Sequence, residues 1–257
     1  MRRALLLAGA VLLLSSANSY AQVTAVIAGG PHDLSAGSGV RNSNTTINGQ
    51  TCVFCHVPHS GSTSQPLWNR SNPTGASYQV YSSSTSKTVA TASGITSGIS
   101  GACLSCHDGT IAMDVVTNVN GAAFGTSPLG GQVAFTKQAT AKANYTNGTA
   151  SGTNDVMSGG LPFLGSDLRN DHPVAVAYQA AVTADPSHYT TITQSGARIY
   201  INGAAGQLPL FGTSAATATV ECASCHDSHN NSLNGSNGGF LRVANTGSQM
   251  CKTCHVK

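Results

Sequence analysis

Every cysteine of this chain stands in one of four Cys-x-x-Cys-His pentapeptides: Cys52-Val53-Phe54-Cys55-His56, Cys103-Leu104-Ser105-Cys106-His107, Cys222-Ala223-Ser224-Cys225-His226 and Cys251-Lys252-Thr253-Cys254-His255. This pentapeptide is the attachment signature of c-type haem. The two thiols add to the porphyrin vinyl groups, and the histidine supplies one axial nitrogen to the iron. On a helical turn, positions i, i+3 and i+4 share one face. Both sulfurs and the imidazole therefore reach the same porphyrin edge and its iron. Zinc sites and thioredoxin-like pairs also use Cys-x-x-Cys, and exported thiols can pair as disulfides. None of these needs a histidine directly after the second cysteine in all four copies. The pattern calls for four covalent haem c groups.

Composition says what the haems must do for the fold. Only 8% of residues are charged and 5% aromatic, and 29 of the 257 are glycine. Such a chain packs a poor conventional core. Porphyrins are large, flat and apolar, and the polypeptide can be a thin wrapper around them. The expected fold is mostly irregular, with short helices at the haem motifs and a few short strands. In this multihaem cytochrome c arrangement the haems form the core, and regular structure falls below its usual share.

Residues 1–21 read as a secretory signal peptide: a basic Met1-Arg2-Arg3, an apolar run from Ala4 to Leu14, and Ser19-Tyr20-Ala21 before the cut. The apolar run is too short to span a bilayer, and no later segment resembles a membrane span. The expected destination is the cell surface or the medium, with the periplasm as alternative. The formal charge of +3 includes Arg2 and Arg3. Without them the chain is near neutral, and haem propionates turn it negative, so no nucleic-acid partner is expected.

Residues 22–257 form one expected unit: an N-terminal two-haem part over 22–120, a motif-free segment over 121–215, and a C-terminal two-haem part over 216–257. Three stretches read as loop or short strand: the Ser/Thr/Gly-rich Ser82 to Ser100, the exposed Lys142 to Gly160, and Thr190 to Phe211. Tyr189–Thr193 and Ala197–Ile201 flank Gln194-Ser195-Gly196 as a hairpin. His172 to Val182, with four alanines, reads as a helix.

The second axial ligand decides each iron's chemistry: an open site serves substrates, whereas a second strong ligand serves electron transfer. Nine histidines are present and four belong to motifs. His59 and His229 each lie three residues past a motif histidine, too close to take the opposite face of the same porphyrin. Each is expected to ligate a different haem, with Pro58 ending the first turn and re-aiming His59. His172, in Asp171-His172-Pro173, is held extended by the proline, and Asp171 is placed to orient its ring. His32, in Gly30-Pro31-His32-Asp33, completes the set from the N-terminal arm. His188 reads as a turn residue and the spare. Met113 and Met157 read as packing residues, and Met250 is badly placed beside Cys251.

The blocks Gly30-Pro31-His32-Asp33-Leu34-Ser35, Cys52 to His59, Cys103 to Thr110, Asp171-His172-Pro173-Val174, Cys222 to Asn230 and Cys251 to His255 together resemble the small multihaem c-type cytochromes of metal-reducing bacteria. Within that group they are most similar to the OmcE-like tetrahaem outer-surface cytochromes. The resemblance covers about a third of the chain. It implies closely stacked bis-histidine haems, and electron transfer without substrate turnover. It also implies homopolymeric extracellular filaments, in which a histidine of one subunit completes a haem of the next; His32 is the natural suspect. Other redox proteins or extracellular acceptors would be the partners. A discrete periplasmic tetrahaem carrier is the alternative. A multihaem enzyme with an open iron is a third reading, disfavoured because the histidines suffice to close every site.

Overall fold

The computed structural model describes residues 27, 30–34, 42–43, 51–59, 61, 65, 67–73, 78–84, 92–111, 113, 115–117, 131–132, 135–136, 145–147, 156–203, 206–230 and 239–256. Residues 1–21 lie outside this set. The architecture is mostly irregular. Helices are short: Ala92–Ser97, Ile99–His107, Tyr178–Ala184, Cys222–Cys225 and Gln249–Cys254. None is long and apolar enough to cross a membrane among the described residues.

Three of the four motifs are helical, as their spacing requires. The first is not. Residues 52–55 make a single turn, closed by the Cys55 and His56 amides donating to Cys52 O (3.1 and 2.8 Å). His56 then leaves the turn to bridge Trp68 in an antiparallel pair, and Pro58 follows too closely for the helix to continue.

One rule holds in all four motifs. The residue before the second cysteine points inward: Phe54, Ser105, Ser224 and Thr253 are each 2% exposed or less. The polar ones are satisfied locally. Ser105 Oγ donates to Ala102 O (2.7 Å) and Thr253 Oγ1 to Gln249 O (3.0 Å), while Ser224 Oγ accepts from the Glu221 amide (3.0 Å). A helical turn that buries position i+2 presents i, i+3 and i+4 on its other side. This inward residue is therefore the pin that aims both cysteines and the histidine.

The largest sheet is antiparallel and three-stranded, ordered Gly206–Leu210, Arg198–Gly203, Ile192–Ser195. The expected hairpin is its second half. Its turn falls at Gly196, whose φ of 59° suits glycine. Tyr189 lies outside the strand and bridges His255 instead. The third strand, Gly206–Leu210, falls within the stretch Thr190 to Phe211.

The expected helix from His172 is a correction: it begins only at Tyr178. Ala175 takes a left-handed backbone (φ 57°), and Val176–Ala177 pairs with Thr219–Val220. Ser82 to Ser100 also differs, since Ala92–Ser97 is helical and buries Ile95. Within Lys142 to Gly160, Tyr145–Asn147 pairs with Met157–Gly160, and Met157 is buried rather than exposed.

Among the described residues, apolar packing is divided among three small clusters. Phe54, Met113, Val116 and Met157 form one, so both methionines pack as expected. Tyr178, Val182, Ile199, Ile201, Leu210 and Ala218 form the second, and Tyr78, Ile95, Leu104 and Leu168 the third. Polar braces tie the motifs to these clusters. Arg70, 1% exposed, donates to Met113 O (2.8 Å), Ser105 O (3.1 Å) and Ser105 Oγ (3.3 Å). Asn69 Nδ2 donates to Val53 O (2.7 Å). Tyr178 Oη lies 2.9 Å from both Thr190 O and Cys254 O.

Gly109, directly after the second motif, has φ 74°, and a Cβ there would meet Met157 O and Phe163 Cε2. Gly109→Ala is expected to cost about 2 kcal/mol, read as a lower guanidinium midpoint of the haem-loaded protein.

Candidate haem-binding centre

The structure brings motif and non-motif histidines together in pairs. His56 of the first motif and His229 have ring centres 6.0 Å apart, with ring planes 18° apart. His107 of the second motif and His32 have centres 6.1 Å apart, with planes at 87°. His32 also stacks on Phe240, at 4.8 Å and 10°. The N-terminal arm thus folds back onto its own chain rather than standing away from it.

The third motif opens onto a cavity of about 790 Å³, its mouth included. Cys222, Cys225 and His226 line it together with His172, Leu104 and Leu168. A non-motif histidine therefore shares a largely apolar recess with a motif histidine. At the fourth motif, His255 packs against Tyr189 at 5.0 Å. The neighbouring His188 is turned away, its Nδ1 held 2.8 Å from Asp185 Oδ1. His59 is exposed.

The hydrogen bonds fix which ring nitrogen is free. A carbonyl only accepts, so a ring Nδ1 beside one carries the proton. His107 Nδ1 donates to Pro162 O (2.7 Å), His226 Nδ1 to Gly239 O, His172 Nδ1 to Pro173 O (2.9 Å) and His32 Nδ1 to Ser228 O (3.4 Å). Each leaves Nε2 with its lone pair available, the usual arrangement behind a metal-ligating imidazole. For His172 a carbonyl does this, not the expected Asp171.

Burial favours the neutral form of His32, His56 and His107, the form that ligation requires. Burial, and then the charge of His107, pushes His32 down to about 4. Burial first, then His229, lowers His56, and burial lowers His107. All eight thiols are free. Burial pushes Cys55 and Cys254 up to about 12. Cys103 and Cys222 hydrogen-bond each other, which raises the first and lowers the second. The first cysteines of the second and third motifs therefore lie side by side.

These features fit haem. A metal–imidazole bond of about 2.0 Å, with the ring centre roughly 1 Å beyond the nitrogen, puts two trans imidazoles roughly 6 Å apart. Both observed pairs match that spacing. Among the described residues, no group of three or more His, Cys, Asp or Glu converges to hold a metal directly. A pair suffices where a porphyrin supplies the other four nitrogens. Trp68 Nε1 is buried with no hydrogen-bond partner among the described residues. The Trp68 ring lies 5.5 Å from that of His56, so this orphaned donor is left for an acceptor on a group bound beside His56, as a haem propionate would be. Trp68, Phe240 and the buried Arg70 belong to no local motif, so nothing in the sequence alone points to them.

Residues 215–257, spanning the third and fourth motifs, match the family model described as the doubled CXXCH motif. No curated protein matches the chain. The doubled-motif match, over the third and fourth motifs, indicates haem c binding.

Proposed function

We propose that the chain holds four haem c groups, one per motif, each with two histidine ligands, and passes electrons along them without turning over a substrate. The observation that carries this reading is the pairing of His56 with His229 and of His107 with His32, at 6.0 and 6.1 Å. Cys52 and Cys55, Cys103 and Cys106, Cys222 and Cys225, and Cys251 and Cys254 hold the porphyrins. His229, His32 and His172 close the first, second and third irons, which leaves His59 for the fourth. Bound haem supplies the ferric–ferrous couple. The chain's own residues supply the imidazoles, and at His107, His226, His172 and His32 a carbonyl holds Nδ1 so that Nε2 is the nitrogen offered.

The pairs also account for how the haems connect. His229 lies three residues past His226, yet its ring meets His56. One short segment thus serves the third and first sites together. His32 likewise reaches the second site while resting on Phe240, near the third motif. Such cross-links favour a continuous stack over two independent halves.

The finer reading is an exported, OmcE-like filament that carries electrons along the outside of the cell. The signal peptide over 1–21 and the exposure of His59 support it, since an exposed ligand can serve a neighbouring copy's fourth haem. A separate periplasmic carrier shares all the haem chemistry and differs only in assembly. Intact mass and cryo-electron microscopy of the secreted protein test both levels. We expect four covalent haems and long polymers with continuous haem density. Fewer haems overturn the tetrahaem reading, and discrete particles alone overturn the filament.

A further inference from the structure

The second and third motifs meet around a buried carboxylate. Glu221, directly before Cys222, is 2% exposed. Its Oε2 accepts from the Ser100 amide (3.2 Å) and from Ser100 Oγ, and its Oε1 lies 2.6 Å from Thr219 Oγ1. Ser100 Oγ in turn accepts from the Cys222 amide (3.1 Å), so its one proton is directed to the carboxylate. Ser100 opens the second-motif helix, Ile99–His107. One side chain therefore clamps both motifs. The chain leaves little room around it: a Cβ on Gly98 would lie 2.9 Å from Glu221 Oε1.

These partners are neutral. The ion pairs among the described residues use Asp167, Asp185, Asp227 and their cationic neighbours. Hydrogen bonds from amide and hydroxyl donors stabilise an ionised carboxylate without cancelling its charge. Glu221 also lines the recess that holds His172 and His226. Its charge reaches both Cys103 and Cys222, although their mutual hydrogen bond is the larger influence on each. Those two sulfurs are the attachment atoms of two different porphyrins under the reading above.

We infer that Glu221 is a built-in negative charge that lowers the reduction potentials of the second and third haems relative to the first and fourth. The physical reason is simple. Reduction adds an electron to a ferric centre, and a nearby anion in a medium of low dielectric opposes it. Bis-histidine ligation is common to all four sites on this reading, so it cannot by itself separate their potentials. A charge placed at one junction can. Glu221 is thus a tuning residue: it touches neither iron and acts through the field it sets up at the porphyrin edges.

The inference rests on the four-haem reading, so the test begins by separating the two. The secreted wild-type protein is first weighed; fewer than four haems sinks the reading itself. With four present, the protein is titrated between ferricyanide, which removes the electrons, and dithionite, which returns them, while the haem absorption is followed. Two neutral replacements of similar volume, Glu221→Gln and Glu221→Met, carry the comparison, so that a folding failure of one leaves the other. The expected result is an upward shift of two of the four components, with the other two unmoved, and restoration by Glu221→Asp. The sign is diagnostic. Loosened packing lets water reach the haems, stabilises the ferric state and shifts potentials downward. An unchanged titration, a downward shift, or an equal shift of all four components overturns the inference.

Discussion

In the His229→Ala protein, dithionite reduction followed by carbon monoxide should give the spectrum of one CO-bound haem out of four, where the wild type gives none. His229 meets His56 with ring centres 6.0 Å apart, and the first motif offers no other ring at that position among the described residues. Its removal leaves an iron with one strong ligand and an open side, which ferrous haem fills readily with a small π-acceptor. The effect is all-or-none at a single site, and His188→Ala serves as the control. His188 points to Asp185, so its loss should leave the CO spectrum at the wild-type baseline. If His229→Ala also stays at that baseline, the assignment of His229 to the first iron is wrong. A wild-type protein that binds CO would remove the premise that every site is closed.

Arg70→Met should lower the stability of the haem-loaded protein by about 3–4 kcal/mol, the sum expected when buried acceptors lose their donors. Arg70 is 1% exposed and reaches Met113 O, Ser105 O and Ser105 Oγ at once. Methionine fills much of the volume but donates nothing, so two buried carbonyls are left without this partner. Arg70→Lys should recover little, because one ammonium cannot span acceptors set for a planar fork. Guanidinium unfolding, followed by haem absorbance, measures both. A Lys variant as stable as wild type would show that charge, not the fork, matters at this position.

The parts of the centre that are spelled locally could be read directly from the chain. Each attachment site is a contiguous pentapeptide, so its cysteines and histidine need no tertiary context. The distal candidates were nameable by counting, because histidine has few rival roles beside so many motifs. Their partners were not nameable. His229 sits three residues from His226 and 173 positions' worth of chain folds back before its ring reaches His56, roughly the kind of long-range contact that no local pattern encodes. An arm carrying His32 can fold back onto its own chain or reach a neighbour's; stacking on Phe240 turns it inward. The fold shows the same division. The hairpin at Gly196 was legible from β-branched residues around a turn. The delayed helix start at Tyr178 was not, because alanine propensity is a weak prior and the left-handed Ala175 answers to pairing with a distant strand.

The division of apolar packing into three small clusters has a consequence for the life of the protein in its cell. None of the clusters has the mass to hold a chain of this length on its own. Binding energy from the cofactor then becomes folding energy. A chain that misses a porphyrin loses not only a redox centre but part of what keeps its backbone out of reach of proteases. Degradation can therefore sort finished molecules from unfinished ones by shape alone, and quality control needs no receptor that recognises haem.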